Sequence, residues 1–357
     1  MNKYVKQNRF KYENLKVISE IFTARDFFFT FDLKNGYHHV PIHTDFQDFL
    51  GFSWIIEGKL RFFKFLVLPF GLSSACYIFS KLMRQLVKKW RSEGIKCVMY
   101  LDDGIGGSSS ATTTALICEK MLRDLSAAGL TKNFEKSNLL PMQRGTWLGF
   151  VIDTKTMMLF IPSEKIEALL KKIQSAIKSK NSTARNIAKI AGHIVSMSMA
   201  IGPLTRLFTK QMHVFIESRF SWDSVRLIPF EVETELLFWQ NNLKHTNGAQ
   251  IRLSPHVNKI VYSDASDKSY GGYIVQRFGE TVARGDFDKR EISTSSAYRE
   301  LLAVKYILQS FNEHLKSQHV QWYSDNQNVS RIIRGGSSKN HLHALAIDIY
   351  NIFFVNF

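Results

Sequence analysis

Residues 95–107 read IKCVMYLDDGIGG, an apolar, strand-forming run that ends in two adjacent aspartates and then glycines. Asp-Gly is a common hairpin signal, so the pair has a plain reading as a tight turn. Against that reading stands the strand CVMYL, apolar enough to be buried, because a buried carboxylate pair is unfavourable unless a cation neutralises it. Magnesium suits such a place: it takes hard oxygen ligands and joins carboxylates to substrate phosphates. A third carboxylate comes from Asp32 in FDLKNGY, at the end of the β-rich run FFFTF, where a strand exit would bring it beside the turn. Three carboxylates on two adjacent strands would hold two metal ions about 4 Å apart, the arrangement that clamps the attacking and leaving oxygens of a phosphoryl transfer.

Around this stretch, strand and helix signals alternate. Residues 25–33, RDFFFTFDL, are β-rich and lead to Gly36, after which YHHVPI reads as extended. From Ser73 to Trp90, Ala75, Ile78, Phe79, Leu82, Met83, Leu86, Val87 and Trp90 recur at helical spacing, with serines to cap and Gly94 to stop. A second helix is expected from about Ala111 to Ala128, with Ser110 as cap and Gly129 beyond its end. FEKSNLL, TWLGFVID and MMLFIP read as three strands, the last two joined as a hairpin through Asp153–Thr156. From Ser163 to about His245 the pattern is helix after helix, with Ile166, Leu169, Leu170, Ile173 and Ile177 forming an apolar stripe beneath a lysine-rich face. HTNGAQIRLSPHVN reads as a linker. KIVYSDAS, YGGYIVQ and ETVARGDF then form a strand meander, followed by a helix from Ser296 to about Leu315, the strand HVQWYSD, a short helix after Asn326 and a last helical run from about His341. Three units are expected: a mixed catalytic unit, a helical connector and a strand-first α/β unit.

The 357 residues exceed the usual span of one core. With 45% hydrophobic and 22% charged residues the composition is globular. Forty-seven Lys+Arg against 31 Asp+Glu give a net charge of +16, spread along the chain, which points to broad positive surfaces and a polyanionic partner. Cys76, Cys97 and Cys118 are isolated and lack nearby histidines, so neither a zinc site nor a disulfide framework is indicated, and a reducing compartment is implied. The longest apolar runs, such as FLVLPFGL around Pro69, are too short to cross a bilayer, and the charged N-terminus lacks the apolar core of a signal peptide.

FDLKNGYHHV, LPFGLSSACYIFSKLM, YLDD, GLTKNFEKS and WLGFVID occur in the order and approximate spacing of the palm motifs of reverse transcriptases. The chain resembles the reverse transcriptases of gypsy and DIRS retrotransposons, and GYHHV, LGFSW and WRSEGI look most like the DIRS type. The resemblance covers essentially the whole chain. It implies an α+β palm with a ferredoxin-like polymerase core and partial fingers over 1–160, a helical thumb/connection over 161–255, and an α/β ribonuclease H-like domain over 256–357. By the same resemblance Asp32 and Asp102 ligate both catalytic metals, and Asp103 is the more dispensable neighbour. Tyr37 matches the steric gate that excludes a ribose 2′-hydroxyl; Phe70 and Gly71 line the nucleotide pocket and the templating base. Lys136 matches a lysine near the triphosphate, and Trp147, Leu148 and Gly149 match the hairpin that steadies the primer end.

A second set of acids repeats this logic. Asp264 lies near the end of the strand KIVYSD, Glu300 in the helix AYRELLAV, and Asp325 closes the strand VQWYSD. Singly they read as a strand-end turn, a helix surface and a helix N-cap. Together, on a meander, helix, strand and helix, they resemble the ribonuclease H fold, whose carboxylates bind two magnesium ions while water attacks the RNA phosphodiester. That family's fourth acid comes from a later helix; Asp348 in LAIDIY comes too early and reads as a helix-surface residue. An incomplete second site and an internal piece of a longer polyprotein are expected.

The expected function is RNA-directed DNA polymerisation coupled to ribonuclease H cleavage. The expected cofactor is Mg2+, two per active site, with Mn2+ as the alternative. Expected partners are an RNA template, a DNA primer, the RNA–DNA hybrid, deoxynucleoside triphosphates and other polyprotein segments, with no membrane, in an intracellular, cytoplasmic setting with room for a nuclear stage. Lysines 171, 172, 178 and 180 would track phosphates through salt-dependent, sequence-indifferent contacts. Two rival readings are a decayed remnant that only binds nucleic acid and a structural subunit of a larger polymerase.

Overall fold

The phenylalanine run becomes strand β1 (Phe27–Leu33), and every residue of it after Phe27 is buried. The computed structural model that shows this describes residues 1–6, 8–251, 257–276 and 279–356. Contacts divide the chain into two compact units. The first is Met1–Pro162 with a short piece at Gln250, and the second begins at Ser163 and takes in the remainder. The boundary expected at 255/256 lies outside the described residues.

In the first unit, β1 is followed by an exposed ribbon of β2 (Gly51–Ile56) and β3 (Lys59–Lys64), then α1 (Ala75–Ser92), β4 (Lys96–Tyr100), β5 (Asp103–Ser108), α2 (Ala111–Ala127) and β6 (Lys132–Met142). The sheet order β4-β5-β1-β6 is antiparallel throughout. Setting the ribbon aside, the chain order is strand, helix, strand, strand, helix, strand, the ferredoxin-like arrangement. Helical spacing explains why both helices cover one face: Phe79, Met83, Val87 and Trp90 of α1 and Cys118, Met121 and Leu125 of α2 pack with Phe29, Phe31 and Leu33. Each fully buried side chain of this size contributes about 1.5–3 kcal/mol. Gly94 ends α1 at φ +79° and Gly129 follows α2 at φ +75°. Ser110 caps α2 by accepting from the Thr113 amide at 3.4 Å, whereas Ser74 makes no side-chain cap bond to α1.

The glycines of β5 have a steric cause. A Cβ at Gly104 would sit 2.2 Å from the Phe31 ring, and one at Gly107 would sit 2.1 Å from the Phe27 carbonyl oxygen. The small strand lets the bulky one lie across it.

Three local expectations are corrected. Asp103 and Gly104 lie in β5, not in the turn; Tyr100 pairs with Asp103, so Leu101 and Asp102 are the turn's centre, with Leu101 at φ +54°. Residues Gly36–His39 form a 3-10 turn, not an extended strand. TWLGFVID is two strands, β7 (Arg144–Trp147) and β8 (Phe150–Asp153), joined by Leu148 at φ +47° and Gly149 at φ +75°. Strand β8 then pairs with β9 (Met158–Phe160), closing the expected hairpin at Asp153↔Met158.

The second unit opens with α3 (Ser163–Ser179), α4 (Ala184–Ser196), α5 (Lys210–Glu217) and α6 (Phe230–Asn242). A small ribbon, β10 (Asn181–Thr183) with β11 (Val225–Leu227), interrupts the all-helical expectation. Strands β12 (Lys259–Ala265), β13 (Ser269–Val275) and β14 (Glu280–Asp286) make the antiparallel meander. After α7 (Ser296–Ser310), β15 (Val320–Tyr323) returns parallel to β12, giving the order β14-β13-β12-β15, and α8 (Gln327–Gly335) and α9 (Asn340–Asn356) follow.

The early helices of this unit pack on its last one, α9. Glu235 on α6, 1% exposed, accepts from the amides of Gln211 (2.8 Å) and Met212 (2.9 Å) at the start of α5. Its other neighbour is His343 of α9, 3.6 Å away. Phe208 and Phe238 stack at 3.5 Å, with the Tyr350 ring edge-on to both. No described helix is long and apolar enough to cross a membrane.

Candidate active sites

Asp32 and Asp103 are direct partners in the β1–β5 ladder, and the Leu33 amide donates to the Asp102 carbonyl at 2.9 Å. The strand exit and the turn therefore meet. On its other side Asp32 faces β6, where the pairing shifts register between Thr30 and Asp32. There its amide donates to Ser137 Oγ at 3.1 Å, and Ser137 Oγ donates to the Asn133 carbonyl. Asp32 is thus 8% exposed and held from both sides.

The electrostatics follow from this crowding. Burial first, then Asp102 and Asp32, push the Asp103 carboxyl up to about 6. Asp102 is raised chiefly by burial, with Asp32 adding to it. Lys136, exposed on β6, pulls both back down, so its charge reaches the same pair. A cation bound between them would favour the charged form of both. Asp32 pairs with Asp103, not with Asp102, and the three are not among the described residues whose ligand oxygens all fall within 4.8 Å.

The other residues expected here are found in three places. Tyr37 is buried in the 3-10 turn, its ring 5.0 Å from that of the exposed Phe70 and 5.3 Å from Phe79, and its hydroxyl 3.0 Å from Cys76 Sγ. A Cβ on the neighbouring Gly36 would lie 3.5 Å from Asp102 Cβ, which puts this turn beside the aspartates. Gly71, at φ +87°, follows Phe70, and its carbonyl accepts from Asn2 Nδ2 at 2.9 Å. Trp147, 3% exposed, Leu148 and Gly149 form the β7–β8 turn.

In the second unit, Asp264, Glu300 and Asp325 each offer a carboxylate oxygen, all within 4.8 Å of one another. Asp264 sits on β12 and Glu300 in the first half of α7. Asp325 lies two residues beyond β15, in the bend before α8; the cap of α8 is Asn326, so Asp325 neither closes the strand nor caps the helix. Burial, then Asp325 and Asp264, raise the Glu300 carboxyl to about 7. Its Oε2 is buried and has no hydrogen-bond partner among the described residues. Three hard oxygens with an unsatisfied buried one fit a divalent cation of the magnesium or manganese type. Asp348 lies apart from this group, paired with Lys305 at 3.0 Å.

One feature escaped sequence reasoning. Tyr262, Tyr273 and Tyr323 stack at 5.0 Å spacing on the open face of the sheet and line a cavity of about 700 Å3 with Asp264 and Asp325. Part of the signal was present in VYSD, because Tyr262 and Asp264, two apart on an extended strand, share a face.

The chain thus presents an antiparallel ferredoxin-like sheet with acids at its central hairpin and a second sheet with three converging acids. Residues 3–152 match the family described as "Reverse transcriptase (RNA-dependent DNA polymerase)", and residues 254–349 match the "RNase H-like domain found in reverse transcriptase". The chain thus carries a reverse-transcriptase domain followed by a ribonuclease H-like one. Among curated relatives it is 23% identical to the enzymatic polyprotein of figwort mosaic virus, over 90% of this chain and 46% of that one. It is 25% identical to the retrovirus-related Pol polyprotein from transposon opus of Drosophila melanogaster (84% of this chain, 30% of that one) and 22% identical to the transposon Tf2-3 polyprotein of Schizosaccharomyces pombe (89% and 23%). The chain therefore spans less than half the length of these relatives. The fold is shared with the foamy viral protease-reverse transcriptase, solved with double-stranded DNA (TM-score 0.59, 20% identity, 99% of this chain and 59% of that one) and with RNA/DNA hybrid (TM-score 0.59, 19% identity, 97% and 45%).

Proposed function

We propose that this chain is the catalytic portion of a retroelement polyprotein that copies RNA into DNA at Asp32, Asp102 and Asp103 and cleaves the RNA of the resulting hybrid at Asp264, Glu300 and Asp325. The observation that carries the reading is the ladder pairing of Asp32 with Asp103 beside the Leu101–Asp102 turn, which brings acids from distant parts of the sequence to one point.

Magnesium bound at each acid group would neutralise the carboxylates and the developing phosphoryl charge and activate the attacking oxygen. The chain's own residues hold, orient and exclude. Asp32 and Asp103, fixed in the ladder, and Asp102, on the turn, supply oxygens; Lys136 adds positive charge for the triphosphate. Tyr37 stands across the sugar position and rejects a 2′-hydroxyl, Phe70 and Gly71 bound the base pocket, and Trp147, Leu148 and Gly149 steady the primer end. In the second unit Glu300 would hold the cation as a carboxylate, so that metal binding there would compete with its proton and cleavage would depend on pH as well as on metal.

In this reading residues 1–160 are partial fingers and palm, 161–255 thumb and connection, and 256–357 the ribonuclease H-like domain. The partners are an RNA template, a DNA primer, their hybrid, deoxynucleoside triphosphates and the rest of the polyprotein, inside the cell and chiefly in the cytoplasm. We place the element in the gypsy/DIRS group, nearest DIRS; the transposon polyproteins among its relatives support the gypsy side of that placement. The test is magnesium-dependent primer extension on an RNA template, with cleavage of the RNA strand scored on a hybrid. No extension even with flanking polyprotein sequence restored would leave a nucleic-acid-binding remnant, and extension only with a second chain present would make this a subunit.

A further inference from the structure

We propose that Cys76 is a positioning residue for Tyr37: its thiol holds the phenol across the sugar pocket and so sets how strongly a ribonucleotide is rejected. This rests on Tyr37 being the sugar gate proposed above. The Tyr37 ring is packed against Phe70 on one side and Phe79 on another, which limits its swing. Packing alone leaves the hydroxyl free to tilt. The hydroxyl is fixed by Cys76 Sγ at 3.0 Å, and Tyr37 is only 9% exposed, so its phenol has little access to water as a substitute.

Cys76 is well placed to act as an anchor. It lies in the first turn of α1, whose next turns put Phe79 and Met83 into the core at 0% and 2% exposure. A group mounted on a packed helix positions more sharply than one on a loop. Tyr12, in the N-terminal segment, has its phenol pushed up to about 12 by burial first, with Cys76 adding to it. The other two cysteines, Cys97 and Cys118, are buried in the core cluster of the first unit.

Loss of one hydrogen bond of this kind is worth about a threefold to tenfold change in a ratio. In single-nucleotide insertion by the full chain on an RNA template, Cys76→Ala is expected to raise ribonucleotide relative to deoxynucleotide efficiency by about that factor. Deoxynucleotide kcat/KM should stay within about twofold. Cys76→Ser keeps a hydroxyl partner and should restore discrimination. If Cys76→Ala discriminates as the parent does while Tyr37→Ala relaxes, the positioning role is overturned and the gate survives. If Tyr37→Ala changes nothing, the gate reading fails and this inference falls with it. A measurement independent of catalysis is the rate of N-ethylmaleimide reaction at Cys76: Tyr37→Phe should raise it about threefold or more, and an unchanged rate refutes the contact.

Discussion

Replacing Glu300 by glutamine is expected to stabilise the metal-free protein above neutral pH and to remove most of its response to magnesium. The carboxyl is carried from 4.5 to about 7, by burial first and by Asp325 and Asp264 next. At about 1.4 kcal/mol per pH unit the ceiling is about 3 kcal/mol, and since Asp264 and Asp325 stand in solvent, screening reduces it to about 1–2 kcal/mol. The sign follows from proton binding. The unfolded chain releases this proton near 4.5 and the folded one near 7, so the folded state's advantage is full below 4.5 and is lost as pH rises to about 7. Glutamine never ionises, so at about pH 8 it spares the folded state that loss, while near pH 4 parent and variant should melt alike. In EDTA at about pH 8 the variant's Tm should rise by about 2–6 °C. Magnesium should raise the parent's Tm by mass action and the variant's far less. Differential scanning fluorimetry in both buffers decides it: a lower Tm for the variant in EDTA, or equal magnesium shifts in both proteins, would refute the reasoning.

Three further outcomes are expected. Asp102→Asn should reduce primer extension by about a thousandfold or more while duplex binding persists, and Asp264→Asn should remove RNA cleavage alone; loss of both activities in either variant would contradict two separate sites. Because the Asp103 carboxyl is raised to about 6, its proton competes with the cation below that pH. The magnesium needed for half-maximal extension should therefore climb about tenfold per pH unit lost there, and a flat requirement down to about pH 5 would argue against Asp103 as a ligand. Gly107→Ala presses a Cβ onto the Phe27 carbonyl, a backbone atom that cannot turn aside, and should lower stability by about 2–4 kcal/mol in urea titration; an unchanged midpoint would show that the strands can part.

Helices α1 and α2 were legible because their apolar residues keep one periodicity from end to end and glycines mark their stops. The meander was legible because its strands are separated by turn residues. A turn that depends on a residue which does not announce it leaves no local signal. Leu101 and Leu148 both adopt positive φ, a conformation disfavoured for leucine, so the turns at YLDD and WLGF were misplaced or read through. The histidines and valine after Tyr37 favour strand, but Asn35 in the left-handed region turns the chain first. Both acid groups could be named from residue type and position, yet which aspartate faces which depends on long-range register, to which local pattern is blind. The contacts of Glu235, His343 and Cys76 carry no sequence signal, because a lone polar residue in a helix looks the same whether it meets solvent or a buried partner.

The seam between Glu235 and His343 has a mechanical consequence for the second unit. Peeling α9, which packs on α7, away from α6 would open an apolar interface and part the buried Glu235–His343 contact. Everything from Ser163 onward should therefore melt as one cooperative block, and grafting a foreign nuclease onto these helices would require exchanging both faces of the joint.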